Sequence, residues 1–247
     1  MISISPNLNL MIKAAEKASK SVIRDFGELE KLQVSAKGPS DFVTNSDKKV
    51  EKILIEELIK SRKKFSILSE EIGKINNSDM DNIWIIDPID GTTNFLHGVP
   101  HFAISIALKS KDEIVSGLIF DPIKNEMFYA EKNNGAFFNN KRIRVSKKNE
   151  LSECLFATGG KKYNSINEIS TRKSGCAALD LAYVASGRYD GYCQNNLNLW
   201  DIAAGLIILQ EAGGVINDID LNNHKNLNVI ASSPNINDKF IKKISNF

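Results

Sequence analysis

Apolar residues between positions 7 and 26 recur near helical spacing. Ala14, Ala15, Ala18, Val22 and Ile23 share a face, and Gly27 supplies a stop. A Gly38-Pro39 turn follows, then the polar stretch Asp41-Phe42-Val43-Thr44-Asn45-Ser46-Asp47. A second helix is predicted to about Ser61, where Val50, Ile53, Leu54 and Leu58 with Glu57 form one stripe flanked by charges. Residues 65–68 read as a short strand ending at Glu70-Glu71, and Trp84-Ile85-Ile86 as a buried strand ending in Asp87. Over 101–145 the pattern turns to alternation. Strands are predicted at 102–108, 113–120 and 127–130, separated by Lys-Asp, Asp-Pro and Asn-Asn-Gly turns. Helices return at 177–186, ending at Gly187, and at 201–212, ending at Gly213-Gly214. Strands at 215–219 and 227–231 and a polar helix from about Asn235 close the chain. With no repeat or long linker, this order predicts one domain over 1–247. It would hold two αβ lobes, about 1–145 and 146–247, sharing a cleft.

Composition adds exclusions. Hydrophobic residues at 42% and charged residues at 25% suit a protein with a substantial core. A net charge of +2 gives no general attraction to nucleic acid or an anionic membrane. The basic clusters at 60–64, Lys147-Lys148 and Lys161-Lys162 lack interleaved aromatic residues, so they read as solvated surface rather than a nucleic-acid site. Cys154, Cys176 and Cys193 are odd in number and widely spaced, which suggests neither a zinc site nor a disulfide framework and fits a reducing cytosol. Residues 1–10 show no signal-peptide pattern, and no apolar run approaches the ~20 residues needed to span a bilayer.

The acids at element ends carry the candidate chemistry. Asp47 opens a helix, Glu70 and Glu71 follow a strand, Asp87 and Asp90 follow another, and Asp201 opens a third helix. Singly, Asp47 and Asp201 read as helix caps, and Glu70-Glu71 as an exposed turn. The pair Asp87 and Asp90, flanking Pro88 at the mouth of a buried strand, calls for neutralisation. All-oxygen ligation favours Mg²⁺, Mn²⁺ or Ca²⁺ over zinc, and His97, His101 and His224 have no metal-binding spacing. Gly91-Thr92-Thr93-Asn94 then offers backbone N–H groups to an anion. Metal ligands beside an anion cradle suggest phosphate chemistry. Because G-x-x-x-x-G-K-[ST] is absent, hydrolysis is better supported than nucleotide-driven transfer.

Four segments, in order, resemble the motifs of the inositol monophosphatase family. They are Asp41-Phe42-Val43-Thr44-Asn45-Ser46-Asp47, then Ser69-Glu70-Glu71, then Trp84-Ile85-Ile86-Asp87-Pro88-Ile89-Asp90-Gly91-Thr92-Thr93-Asn94-Phe95, and Leu199-Trp200-Asp201-Ile202-Ala203-Ala204-Gly205 running on to Gly213-Gly214. The resemblance covers nearly the whole chain. It implies an α+β fold, a layered αβαβα sandwich of the sugar-phosphatase type, and a cytoplasmic, often lithium-sensitive homodimer. It implies two or three Mg²⁺ ions, with Mn²⁺ as a substitute, held by Glu70, Asp87, Asp90, Asp201 and the Ile89 carbonyl. Glu70 is preferred to Glu71 on the motif alone. Thr92, hydrogen-bonded to Asp47, would activate water together with Glu70. The N–H groups of Gly91 and Thr92 would hold phosphate beside Asp90 and Asp201, and Gly175, Cys176, Ala177 and Gln194 would contact the substrate's leaving group.

Two departures from the family pattern bear on the substrate. The glutamate that contacts inositol hydroxyls in similar enzymes is here Gln194, seven residues before Asp201, and a glycine usual two residues later is Asn196. A helix usual between Gly160 and Arg172 is replaced by a short polar link. The expected function is Mg²⁺-dependent hydrolysis of a small polyol or sugar phosphate, inositol monophosphate first. Histidinol phosphate, fructose 1,6-bisphosphate and 3′-phosphoadenosine 5′-phosphate are alternatives. A non-catalytic regulatory protein on the same scaffold is the contrasting class; it predicts a broken acid set, and the set is complete.

Overall fold

The structure, a computed structural model, describes residues 4–28, 34–38, 41–160 and 169–245. Pro39 of the expected turn, Lys161-Lys162 and most of the shortened link lie outside the described residues. Helix α1 (Pro6–Phe26) starts where the Ser5 hydroxyl accepts the Leu8 N–H at 3.2 Å, and it stops at Gly27. Strands β1 (Val34–Gly38) and β2 (Asp41–Thr44) form an antiparallel ribbon that leads into α2 (Asn45–Ser61).

Eight strands form the larger sheet: β3 (Phe65–Ser69), β4 (Gly73–Ile75), β5 (Asp79–Asp90), β6 (Ala103–Ser110), β7 (Glu113–Asp121), β8 (Glu126–Glu131), β9 (Gly135–Phe138) and β10 (Lys141–Arg142). Their order is β10-β9-β8-β7-β6-β5-β3-β4, and β3 with β5 is the one parallel pair. A short helix α3 (Thr92–Leu96) leads out of β5. The smaller sheet has the order β12-β11-β13-β15-β14, from β11 (Leu155–Thr158), β12 (Ser170–Arg172), β13 (Gly191–Leu197), β14 (Val215–Ile216) and β15 (Leu227–Ser232). The remaining helices are α4 (Ala177–Ala185), α5 (Leu199–Glu211) and α6 (Asn237–Ile244).

Strand alternation fixes how these pieces stack. In β5, Trp84 and Ile86 pack with Leu8, Met11, Val50 and Leu54 of α1 and α2. Ile85 points the other way, into the core formed with Leu179, Leu181, Ile202 and Leu209 of α4 and α5. Tyr192 and Val229 close that middle core from the smaller sheet. Phe156 and Cys193 face the opposite side and pack with Phe240 and Ile244 of α6. The layers therefore run helices, sheet, helices, sheet, helix, as the αβαβα expectation required. Helix α5 lies in the middle layer, and ten of its thirteen residues are buried, so it must be apolar on every side.

Three expectations shift. The strand expected over 215–219 is regular only to Ile216; at Asn217 the backbone N–H still donates to the Ile230 carbonyl at 3.1 Å, but its side chain takes over the rest of the ladder. It accepts the Ile230 N–H at 2.7 Å and donates to the Asn228 carbonyl at 3.0 Å. The last helix begins at Asn237 after a 3₁₀ turn, and it is amphipathic rather than polar, with Phe240 and Ile244 buried. Strands β9 to β13 carry no clear alternation of their own. Pairing with neighbours already in place makes them strands.

Candidate active site

β3 and β5 run parallel, with Ser69 beside Ile86, so Glu70 and Asp87 leave the sheet at the same edge. Asp90 would ordinarily point away from Asp87, since residues three apart in a strand face opposite sides. A β-bulge prevents this. Asp87 pairs with Ser105 and Asp90 with Ala103, so β5 spends one residue more than β6 over this span. The flip is visible in the core: Trp84 and Ile86 face α1 and α2, and so does Ile89, at the opposite parity. Asp87 and Asp90 thus open on one side. Asp201, in the first turn of α5, joins them; one of its oxygens accepts the Asn198 N–H at 2.7 Å. It caps the helix and lines the cleft at once.

These groups line a cleft of about 440 Å³. Asp90 Oδ2 is held by the Ala178 N–H at 2.6 Å and the Cys176 thiol at 3.0 Å. Gly91 turns the chain at φ +94°, and a Cβ there would sit 3.1 Å from the His101 carbonyl, so only glycine fits. Thr92 Oγ1 donates to the Ile89 carbonyl at 3.0 Å. Asn94 donates to the carbonyls of His101 at 2.7 Å and Ser174 at 2.8 Å, which ties the turn after β5 to the loop before α4.

Burial and mutual repulsion raise the acids. Burial pushes Glu70 up to about 8, with Asp201 and Asp47 adding to the effect. It pushes Asp201 to about 7, helped by the charge of Asp90. Asp90 rises to about 6 from burial, opposed by its bonds from Cys176 and Ala178. Burial holds Asp87 well above the carboxylate range, reinforced by Glu70. Asp87 Oδ1 is buried with no hydrogen-bond partner. Such a set of oxygens fits a hard divalent cation, which would restore their ionised state. Among the described residues, no three His, Cys, Asp or Glu side chains gather tightly enough to hold an ion as they stand. The acids share a cleft rather than a point.

Of the expected site residues, Glu70, Asp87, Ile89, Asp90, Gly91 and Thr92 line the cleft from the larger sheet. Gly175, Ala177, Gln194 and Asp201 line it from the other side. Asp47 is buried in the first turn of α2, and its charge reaches Glu70 and Asp87. Cys176, expected against the leaving group, does not line the cleft; its buried thiol backs Asp90. Sequence reasoning missed three supporting acids and polar groups. Glu51, one turn after Asp47 and 2% exposed, accepts the Ser69 hydroxyl and the N–H groups of Glu71 at 3.1 Å and Ile72 at 3.2 Å, bracketing Glu70. Asp180 accepts the Ser174 hydroxyl at 2.7 Å and so steadies the Gly175 loop. Tyr192 donates to Gln194 Oε1 at 2.9 Å. The one available signal was Glu51 falling on the inner face of α2, beside Asp47 and Leu54.

Residues 4–247 match the model of the inositol monophosphatase family. The inositol-1-monophosphatase of Rhizobium meliloti (strain 1021) is 46% identical over 86% of this chain and 85% of its own. The Nus factor SuhB of Haemophilus influenzae (strain ATCC 51907 / DSM 11121 / KW20 / Rd) is 39% identical over 98% of this chain and 96% of its own. The crystal structure of extragenic suppressor protein suhB from Bartonella henselae superposes with a TM-score of 0.92 at 45% identity, covering 97% and 98% of the two chains.

Proposed function

This chain belongs to the inositol monophosphatase family and is a phosphoric monoester hydrolase, and on that premise we propose that it hydrolyses a small polyol or sugar phosphate in a Mg²⁺-dependent reaction, with inositol monophosphate the first substrate to try. The observation that carries this is the convergence of Glu70, Asp87, Asp90 and Asp201 on one cleft beside Gly91, through a bulge and a helix start.

Glu70, Asp87, Asp90, Asp201 and the Ile89 carbonyl would hold two or three Mg²⁺ ions, or Mn²⁺ in their place. Bound there, the ions would offset the repulsion among acids and phosphate, lower the pKa of the attacking water and stabilise charge on the leaving oxygen. The chain's own groups do the rest. The N–H groups of Gly91 and Thr92 hold phosphate oxygens. Glu70 and Thr92 orient the water; its proton passes to Thr92 as Thr92 gives its own to Asp47. The water oxygen bonds to phosphorus, the ester P–O bond breaks, and the leaving alkoxide takes a proton from a second water in the cleft. Gly175, Ala177 and Gln194 face the departing alcohol.

The test is a panel of inositol 1-phosphate, histidinol phosphate, fructose 1,6-bisphosphate and 3′-phosphoadenosine 5′-phosphate, each assayed with and without Mg²⁺. Turnover of at least one, lost on chelation, is expected; turnover of none overturns the reading. Gln194 favours keeping the alternatives in that panel, because it replaces a charged contact with a neutral one. The same reading carries inhibition by lithium, a homodimer and a cytoplasmic location. They are checked by Li⁺ titration of the activity, sedimentation and cell fractionation. Among the described residues no helix is long and apolar enough to cross a membrane. A regulatory role is a second reading, favoured by relatives named Nus factor SuhB. The complete acid set speaks for catalysis.

A further inference from the structure

We infer that Gln194 makes this cleft prefer a phosphate ester whose leaving group bears a second anionic group, a phosphate or a carboxylate, over a neutral polyol phosphate. The inference rests on the hydrolase reading and narrows its substrate class. It begins from an asymmetry between the walls of the cleft. The wall from the larger sheet carries Glu70, Asp87 and Asp90. The wall from the smaller sheet is built from the end of β11 (Thr158, Gly159, Gly160), Lys173 after β12, and Gln194 on β13. Among the described residues the strands of that wall and their ends contribute one charged group to the cleft, Lys173, and no acid; Asp201, at the start of α5 beside them, is committed to the proposed cation site.

Gln194 is held in place by three features. A bulge lies just beyond it: Gln194 pairs with Val229 and Leu197 with Leu227, so β13 spends one residue more than β15. Asn196 sits in this bulge at φ +60°, a conformation that asparagine tolerates better than other side chains, so it can stand where similar enzymes have glycine. The Gln194 side chain also lies across Gly159, where a Cβ would be 1.7 Å from its Oε1. Finally, the fully buried Tyr192 needs an acceptor for its hydroxyl hydrogen, and Gln194 Oε1 supplies it at 2.9 Å. That leaves the amide nitrogen, with two hydrogens, as the group offered to the cleft.

A donor that carries no charge, facing the same space as Lys173, pairs with an acceptor that has no hydrogen of its own. A phosphate or carboxylate oxygen meets that requirement better than a hydroxyl. A glutamate here would accept hydroxyl hydrogens and repel an anion. Gln194→Glu is a close test, because a carboxylate has the same shape and still accepts the Tyr192 hydrogen.

The experiment measures kcat/KM for fructose 1,6-bisphosphate, 3-phosphoglycerate and inositol 1-phosphate at saturating Mg²⁺, in the unaltered protein and in Gln194→Glu. The unaltered protein should favour at least one anionic substrate over inositol 1-phosphate. Gln194→Glu should lower that ratio on the order of tenfold, the scale of one partly screened charge at contact distance. Lys173→Gln, an exposed position that does not threaten folding, should lower the same ratio in the same direction. The two anionic substrates separate phosphate from carboxylate as the recognised group. A preference for inositol 1-phosphate, or a ratio unmoved by both substitutions, overturns the inference and leaves the hydrolase reading standing. Hydrolysis of no phosphate ester overturns both.

Discussion

Asp90 is anchored in the cleft. Its Oδ2 is fixed by Ala178 and Cys176 from across the cleft, and the Gly91 N–H adds a further bond to the carboxylate. Asp90→Asn keeps the shape but removes the charge, so hydrolysis should fall at least about a thousandfold in kcat while circular dichroism and melting stay near those of the unaltered protein. Full activity in Asp90→Asn would remove it from the cation site. Glu51 works one step further back. Burial pushes its carboxyl up, while bonds from Ser69, Ile72 and Glu71 pull it down; together they hold the turn that carries Glu70. Glu51→Ala should raise the Mg²⁺ concentration for half-maximal thermal stabilisation on the order of tenfold, with kcat at saturating Mg²⁺ changed far less. An unchanged Mg²⁺ titration would make Glu51 a plain core residue. Asp87 and Asp90 were legible from their place at a strand end, and Asp201, which by itself reads as a helix cap, from the resemblance of its motif. Glu51 was not, because a glutamate among lysines on a helix reads as surface until the loop it holds is seen.

At the scale of elements, a surplus residue in β5 turns Asp90 into the cleft, and another in β13 lies just beyond Gln194 and carries Asn196. Sequence periodicity has no mark for this, since a bulge is a count of one strand against its partner. Helix α5 was legible from its apolar run and glycine stop, although its first turn begins two residues earlier than expected. Its depth in the middle layer depends on small residues at the crossings. A Cβ on Gly205 would lie 2.7 Å from Leu181 Cβ. Helix propensity alone would make Gly205→Ala stabilising by about 1 kcal/mol, while forcing α4 and α5 apart costs roughly 1–3 kcal/mol. The clash should win. Urea unfolding of Gly205→Ala should show a loss on the order of 1 kcal/mol; a gain would mean that α4 shifts freely and that the crossing is loosely packed.

Over the whole molecule, the cleft lies where both sheets and the middle helices meet, so its charge bears on the stability of all five layers. Glu70, Asp201 and Asp90 have folded-state pKa values of about 8, 7 and 6, above ordinary carboxylates near 4. Between those limits the folded chain holds more protons than the unfolded chain. Stability without cations should therefore be greatest below about pH 4 as far as these groups act, and it should be lost as pH rises toward about 8. Melting without divalent cations should fall on the order of 5–10 °C between pH 5 and pH 8, and Mg²⁺ should recover most of that loss. A melting temperature indifferent to both pH and Mg²⁺ would show that these acids do not repel one another as the cleft implies. We also propose that the chain melts as one unit with two lobes, which a single calorimetric transition would support and two would refute. The sequence by itself determined the inventory and its order: acids at strand and helix ends, glycine after Asp90, and alternating faces that demand cover on both sides of a sheet. Those signals are local, each readable within a turn or a strand. Only the tertiary structure decided which acids share a cleft, that Cys176 backs Asp90 rather than lining the site, and that Tyr192 takes up the Gln194 Oε1. Each of the first two depends on a partner far along the chain, as when Ala178 reaches Asp90 across 88 residues and Asn94 reaches Ser174 across 80, and the third on a buried hydroxyl whose need for an acceptor appears only when the core closes.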